Sequence, residues 1–206
     1  MGFIAKFILP KSVDFNAAIR EQTALTRRIV RDLHEACVAG NAQAFDSIRV
    51  DAKRAAALKT QNLQLLLDVF LTPYDKESIY RLFTQLDWVV LSTKHFVIER
   101  EVYGIESLSD YAAIFALLDS MAELLEDASA QLVGKQLGAL ANTAERIHDS
   151  YDAVVEQCAQ AMAQRFQEAN ALDVLRHHDI VAQLREIAKR IHISANNFED
   201  MAIKVA

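Results

Sequence analysis

From Ile180 to Val205 the apolar side chains fall at Ile180, Leu184, Ile187, Ile191, Ala195, Phe198, Met201 and Val205, in steps of three and four residues. A strand shows its core face at every second residue and a helix at every 3.6. This spacing therefore admits an amphipathic helix and little else. The same stepping recurs along most of the chain. Residues that would punctuate a barrel or sandwich are scarce, with five glycines and two prolines in 206 positions. A chain 52% apolar and rich in Ala, Leu, Gln and Glu has ample material for long helices around a continuous core. The expected fold class is all-α.

In order, the first stripe is Phe15, Ile19, Gln22, Thr26, Ile29, Leu33 and Cys37, with Asp14 as N-cap and Gly40 as stop. Asn41 opens a second helix reaching to about Phe70. Thr72-Pro73-Tyr74-Asp75 closes it and starts the third; Thr72 or Asp75 can cap, with Pro73 at the first helical position. The third helix carries Ile79, Leu82, Phe83, Leu86, Val89, Val90, Phe96 and Val97, and Gly104 ends it. Ser107 or Ser109 caps a fourth helix with Tyr111, Phe115, Leu118, Ala122, Leu125 and Leu132 on its stripe. Gly134 and Gly138 bracket the break before a fifth, which bears Leu140, Ala144, Ile147, Val154, Cys158, Ala161 and Phe166. The sixth runs from about Leu172.

Six helices of roughly 25–35 residues, joined by such short connections, pack as antiparallel neighbours. The expected organisation is one domain over 1–206 made of two three-helix bundles, with pseudo-repeat halves of about 1–104 and 105–206. Segment 79–90 aligns loosely with 177–188, sharing Gln-Leu at the same phase, as an internal duplication predicts. Leu63, Leu67 and Phe70 predict a wide buried face on the second helix, either core or a contact between copies, so self-association stays open.

Composition excludes several function classes. A formal charge of −6, with both signs interspersed, argues against nucleic acid as partner. Cys37 and Cys158 stand far apart in apolar stripes and read as buried reduced thiols, which predicts a reducing compartment. No apolar run reaches the roughly 18–20 residues that span a bilayer. The start, MGFIAKFILPK, lacks a signal peptide's length and cleavage site, and Lys6 breaks the myristoylation pattern. A soluble cytoplasmic protein is expected.

Candidate chemistry is sparse. Glu145 and His148 form a single E-x-x-H, where di-iron bundles carry two, and read as a surface pair. His177 and His178, near Asp173 and Asp179, point about 100° apart and cannot readily share an ion, so they read as a solvated helix start. Trp88 falls beside the core stripe and reads as packing. No phosphate loop, serine elbow or zinc-spaced cysteine cluster is present, so no enzymatic activity is expected.

The turn between the second and third helices carries the most specific signal. Phe70-Leu71-Thr72-Pro73-Tyr74-Asp75-Lys76-Glu77-Ser78-Ile79 resembles the F-x-T-P-F-D-R-E-D-I signature of the PhoU-like phosphate-transport regulators. The closer branch is the one accompanying Pit-type inorganic phosphate transporters. The lead from Phe7 to Lys11 and the order of helices are similar as well. The resemblance implies a non-enzymatic cytoplasmic regulator, peripheral to the inner membrane through contact with a Pit-type transporter.

That family often holds iron or zinc clusters through acidic motifs on the helices flanking the turn. Here the first such motif is expected near Ala52 to Ala57, where Ala52, Lys53, Arg54, Ala55, Ala56 and Ala57 stand. Asp87 remains on the third helix beside Trp88 and Leu91, Asp152 alone within 151–155, and Glu186 beside Arg185 and Lys189. Lone carboxylates flanked by bases cannot neutralise a polynuclear cation cluster. No metal and no cofactor are expected. Asp87, Asp152 and Glu186 are the residual candidates, and Arg54, Arg185 and Lys189 are expected to pair with them. Two alternatives remain beside the regulator: a general helical scaffold without a phosphate role, and a metal-binding bundle using Glu145, His148 or Glu186.

Overall fold

A computed structural model describes residues 13–168 and 170–206. These form six α-helices: α1 Phe15–Cys37, α2 Ala42–Asp68, α3 Lys76–Val102, α4 Ala112–Val133, α5 Leu137–Glu168 and α6 Ala171–Val205. A 3-10 turn, Ser109–Tyr111, leads into α4, and no strand occurs among the described residues. The all-α expectation holds. The N-terminal lead from Phe7 to Lys11 and the patch containing Lys6 lie outside the described residues.

Side-chain chemistry fixes where the helices start. The Asp14 carboxylate accepts from the Ala17 N–H at 3.0 Å, Asp75 from the Ser78 N–H at 3.0 Å, and Asn170 from the Asp173 N–H at 2.9 Å. Each satisfies a backbone donor that the first turn leaves open. Gly40 and Gly104 take left-handed φ values of +72° and +66°, as helix stops do.

Several boundaries differ from the sequence expectation. Pro73 is not the first helical residue, because Asp75 takes the cap and α3 begins at Lys76. Neither Ser107 nor Ser109 caps α4; Ser109 opens the 3-10 turn, and Tyr111 precedes the helix. Gly138 lies inside α5, and Lys135, at φ +55°, makes the left-handed bend before it. Leu67, on the outer side of α2, and Phe70, past its end at Asp68, are 83% and 86% exposed and so are not core, while Leu63 is half-buried against the core.

α2 packs on α1 and α3, and α5 packs on α4 and α6. The two trios meet through α1 on α4 and α3 on α6. α3 and α6 run antiparallel: Ser78 at the start of α3 donates to Asp200 near the end of α6 at 2.8 Å. Tyr103, just past α3, donates to Asp179 near the start of α6 at 3.2 Å. Buried apolar residues from both trios join in one cluster, in which Phe96 and Phe115 meet edge to face at 5.7 Å. The polar members of the α1 stripe are buried too. Gln22 donates to the Ala55 carbonyl at 3.3 Å, and Thr26 to the Gln22 carbonyl at 2.9 Å.

Candidate functional site

The helices flanking the turn are where the resemblance places metal ligands, and there the structure builds ion pairs. The inner stripe of α2 is Ala44, Ile48, Asp51, Ala52, Ala55, Asn62 and Leu66. The stripe carries the Asp51 carboxylate into the buried interface. Arg28 of α1 answers it at 2.6 Å. On the other side Asp87 of α3, only 6% exposed, receives the Lys59 ammonium of α2 at 2.6 Å. Buried carboxylates need such partners, because an unpaired one would keep most of its desolvation cost.

Arg54 was expected to pair with a residual acid and does not. It follows Lys53 and precedes the inward Ala55, so helical phase turns it outwards, 3.7 Å from Glu21 of α1. Glu186 pairs instead with Arg190, one turn on, at 2.6 Å. The Arg190 guanidinium lies 4.7 Å from the centroid of the Trp88 ring, so α3 and α6 are bridged there by a cation–π contact. Trp88 is therefore 40% exposed and engaged by charge, not enclosed in the core. Arg185 sits beside Cys158, whose thiol burial pushes up while Arg185 partly opposes. Lys189 and Arg185 border a cleft of about 250 Å³ with Tyr151, Met162 and Glu186. Asp152 is exposed on α5.

Asp87, Asp152 and Glu186 thus stand on three helices with separate surroundings. Among the described residues, no group of three or more His, Cys, Asp or Glu comes together as a metal site. Two of the three residual carboxylates are already neutralised by a base, and alanines and bases fill 52–57. That donor set does not fit a polynuclear cation cluster.

The histidines and cysteines resolve differently from their sequence neighbours. Glu145 points to solvent, while His148 turns to α6 and meets the Asn196 side-chain oxygen at 2.8 Å. His177 is not a solvated residue, in contrast to the expectation. It is buried, with Nδ1 at 2.7 Å from the Tyr111 hydroxyl, while His178 is exposed. Both cysteines are free, and burial pushes the Cys37 thiol up to about 12 against the opposing charge of Arg100.

The turn itself is fastened on both sides. Buried Ser78 donates to Asp200 and receives Lys204 at 2.8 Å, while Asp75 lies 3.6 Å from Lys204. Tyr74 donates to Asn16 at 2.9 Å, which ties the turn to the start of α1. Asp51, Lys59 and Lys204 were not singled out from the sequence. An acidic residue within the alanine stripe was the available sign for Asp51; Lys59 and Lys204 carry no local sign at all.

No protein-family model matches the chain, and no curated protein matches it. Solved structures do. A PhoU-like protein of Shewanella oneidensis MR-1 superposes with a TM-score of 0.80 at 15% identity, over 92% of this chain and 99% of the other. A PhoU-like phosphate regulatory protein of the same organism gives 0.79 at 16% identity over the same shares. The chain has the PhoU-like fold. Among the described residues, no helix is long and apolar enough to cross a membrane.

Proposed function

We propose that this protein is a non-enzymatic regulator of inorganic phosphate transport that acts from the cytoplasm by contact with a membrane transporter, of Pit type by the resemblance of its turn. The observation that carries the reading is the shared fold with a PhoU-like phosphate regulatory protein over nearly the whole length of both chains. The turn supplies a contact surface. Phe70 and Leu71 are 86% and 81% exposed beside Leu67, while Asp75, Ser78 and Lys204 hold the adjoining backbone. Ile203 and Val205 of the last turn of α6 are exposed at the same end. An apolar tip on a fixed support suits a protein partner, since little conformational freedom is lost when it docks.

The test is a Phe70→Ala/Leu71→Ala chain. It is expected to fold normally, to co-purify with the transporter far less than the native chain, and to lose its effect on cellular phosphate uptake. Unaltered uptake after deletion of the gene, with no transporter retained by the native protein, rejects the reading.

A further inference from the structure

Arginines from two helices converge on one groove. Arg31 lies three and four residues beyond Arg28 and Arg27, so all three share a face of α1. Arg54 approaches from α2. With Glu21 of α1 and Glu126 of α4 they line an open cleft of about 400 Å³, within the size range of small-molecule sites. Like charges at that helical spacing repel, and of the four only Arg28 answers a buried carboxylate, Asp51.

Their present partners hold them loosely. Among the described residues, Arg27 is 3.4 Å from Glu126 and 3.9 Å from Glu123, Arg54 is 3.7 Å from Glu21, and Arg31 pairs only with its neighbour Asp32, at 3.2 Å. Arg54–Glu21 is an exposed pair, of a kind that contributes little, and the other two are long or partly solvated, so all can yield to a stronger anion. Arg28 is tightly held, by Asp51 at 2.6 Å, and its buried Nε has no partner among the described residues. Each guanidinium has five N–H donors in a planar fork, so most of the donors lining the groove remain for a ligand.

The ligand class follows from the competition. A single carboxylate gains little over the glutamates already present. A polyvalent phosphate engages several forks at once, each in the bidentate geometry that suits phosphate oxygens. The groove lining gathers four arginines against two glutamates on a chain of formal charge −6. We propose that it binds a soluble polyvalent phosphate, inorganic phosphate or a short polyphosphate. Arg27, Arg31 and Arg54 contact its oxygens, and Arg28 is fixed in place by Asp51. The inference stands on the groove and not on the transporter reading.

Calorimetric titration of the full chain at low ionic strength, with inorganic phosphate, diphosphate and tripolyphosphate, tests it. One-site binding that tightens with anion charge is expected. The Arg31→Gln/Arg54→Gln chain should bind at least about tenfold more weakly, the loss that follows from removing charge-assisted hydrogen bonds. Both side chains are around half exposed, so the fold should persist; if the double variant unfolds, Arg54→Gln alone is read the same way. Arg49→Gln, which breaks pairs with Asp46 and Glu101 outside the groove, should bind as the native chain does. No heat with any of the three anions overturns the proposal, as does equal weakening by Arg49→Gln, which would mean diffuse charge. Binding to phosphatidic acid vesicles that tripolyphosphate fails to displace overturns the soluble-anion assignment. Groove binding intact in a protein whose loss leaves phosphate uptake unchanged would sink the transporter reading and leave this one standing.

Discussion

His177 and His192 both lie on α6, and their surroundings disfavour the protonated ring. For His177 burial is the main cause and the Arg165 guanidinium the second, with Asp173 and Asp110 pulling the other way; its pKa lies below the ordinary 6.5. For His192 burial again leads, followed by His148, whose ring is stacked 4.5 Å away, and Asp152 opposes them. About a unit or more above pH 6.5 both rings are neutral whether the chain is folded or not, and neither contributes a pH dependence. As pH falls through 6.5 the unfolded chain takes up protons that the native state refuses. Stability then declines until the lower, folded pKa values are reached. Urea midpoints at about pH 7.5 and about pH 5.5 should show this loss, and it should be smaller in a His177→Gln chain. Equal midpoints at the two pH values would refute the assignment. The sequence placed His177 in solvent because its partner, Tyr111, is 66 residues away and no local pattern announces it. It did read correctly that neighbouring histidines on a helix face apart: one is buried and the other exposed.

At the scale of the element, α2 is the helix most dependent on charge. Three of its seven buried residues are alanine and two more are Asp51 and Asn62, which leaves few large apolar side chains on the stripe, and it packs chiefly on α1 and α3 alone. Of its interhelical ion pairs, the two that answer buried carboxylates, Arg28–Asp51 and Lys59–Asp87, compensate. Replacing Lys59 by Ala leaves the Asp87 carboxylate buried without its base. A destabilisation of about 1–3 kcal/mol is expected, below the range for fully buried pairs because Lys59 is partly solvated. Lys59→Met with Asp87→Leu removes both charges and should recover most of that loss. Chemical denaturation of the three chains decides the matter; a Lys59→Ala change within about 0.5 kcal/mol of native would show the pair to be idle. Much of this element was legible in the sequence. The helix is legible from its bounds, Asn41 and the Thr72–Asp75 turn, and the lack of acidic ligands at 52–57 from the residues standing there. Which base meets Asp87 was not legible, because the answer turns on the rotation of α2 about its axis. One residue of phase separates outward Arg54 from inward Ala55, and Lys59 is one turn further along the inner side.

At the scale of the molecule, the order of contacts repeats: a central pair of helices and one flanking helix in each half, joined by α1 on α4 and α3 on α6. We propose that the halves are a duplication fused into one folding unit over the described chain. Each half alone would uncover the faces of two helices that now meet in the shared core, where Phe96 packs on Phe115. Exposing that much apolar surface costs more than the contacts within three helices return, so the segment 13–104 should be unfolded or self-associated when expressed alone. In the full chain the single tryptophan, Trp88, is a convenient reporter, since it lies in the first half and stacks with Arg190 of the second. Its fluorescence follows that seam, while far-UV dichroism follows all six helices. One folding unit requires the two signals to change together across a guanidinium titration. Fluorescence lost at lower denaturant than helicity, or a monomeric helical 13–104 fragment, would mean that the halves are separate domains resting against each other.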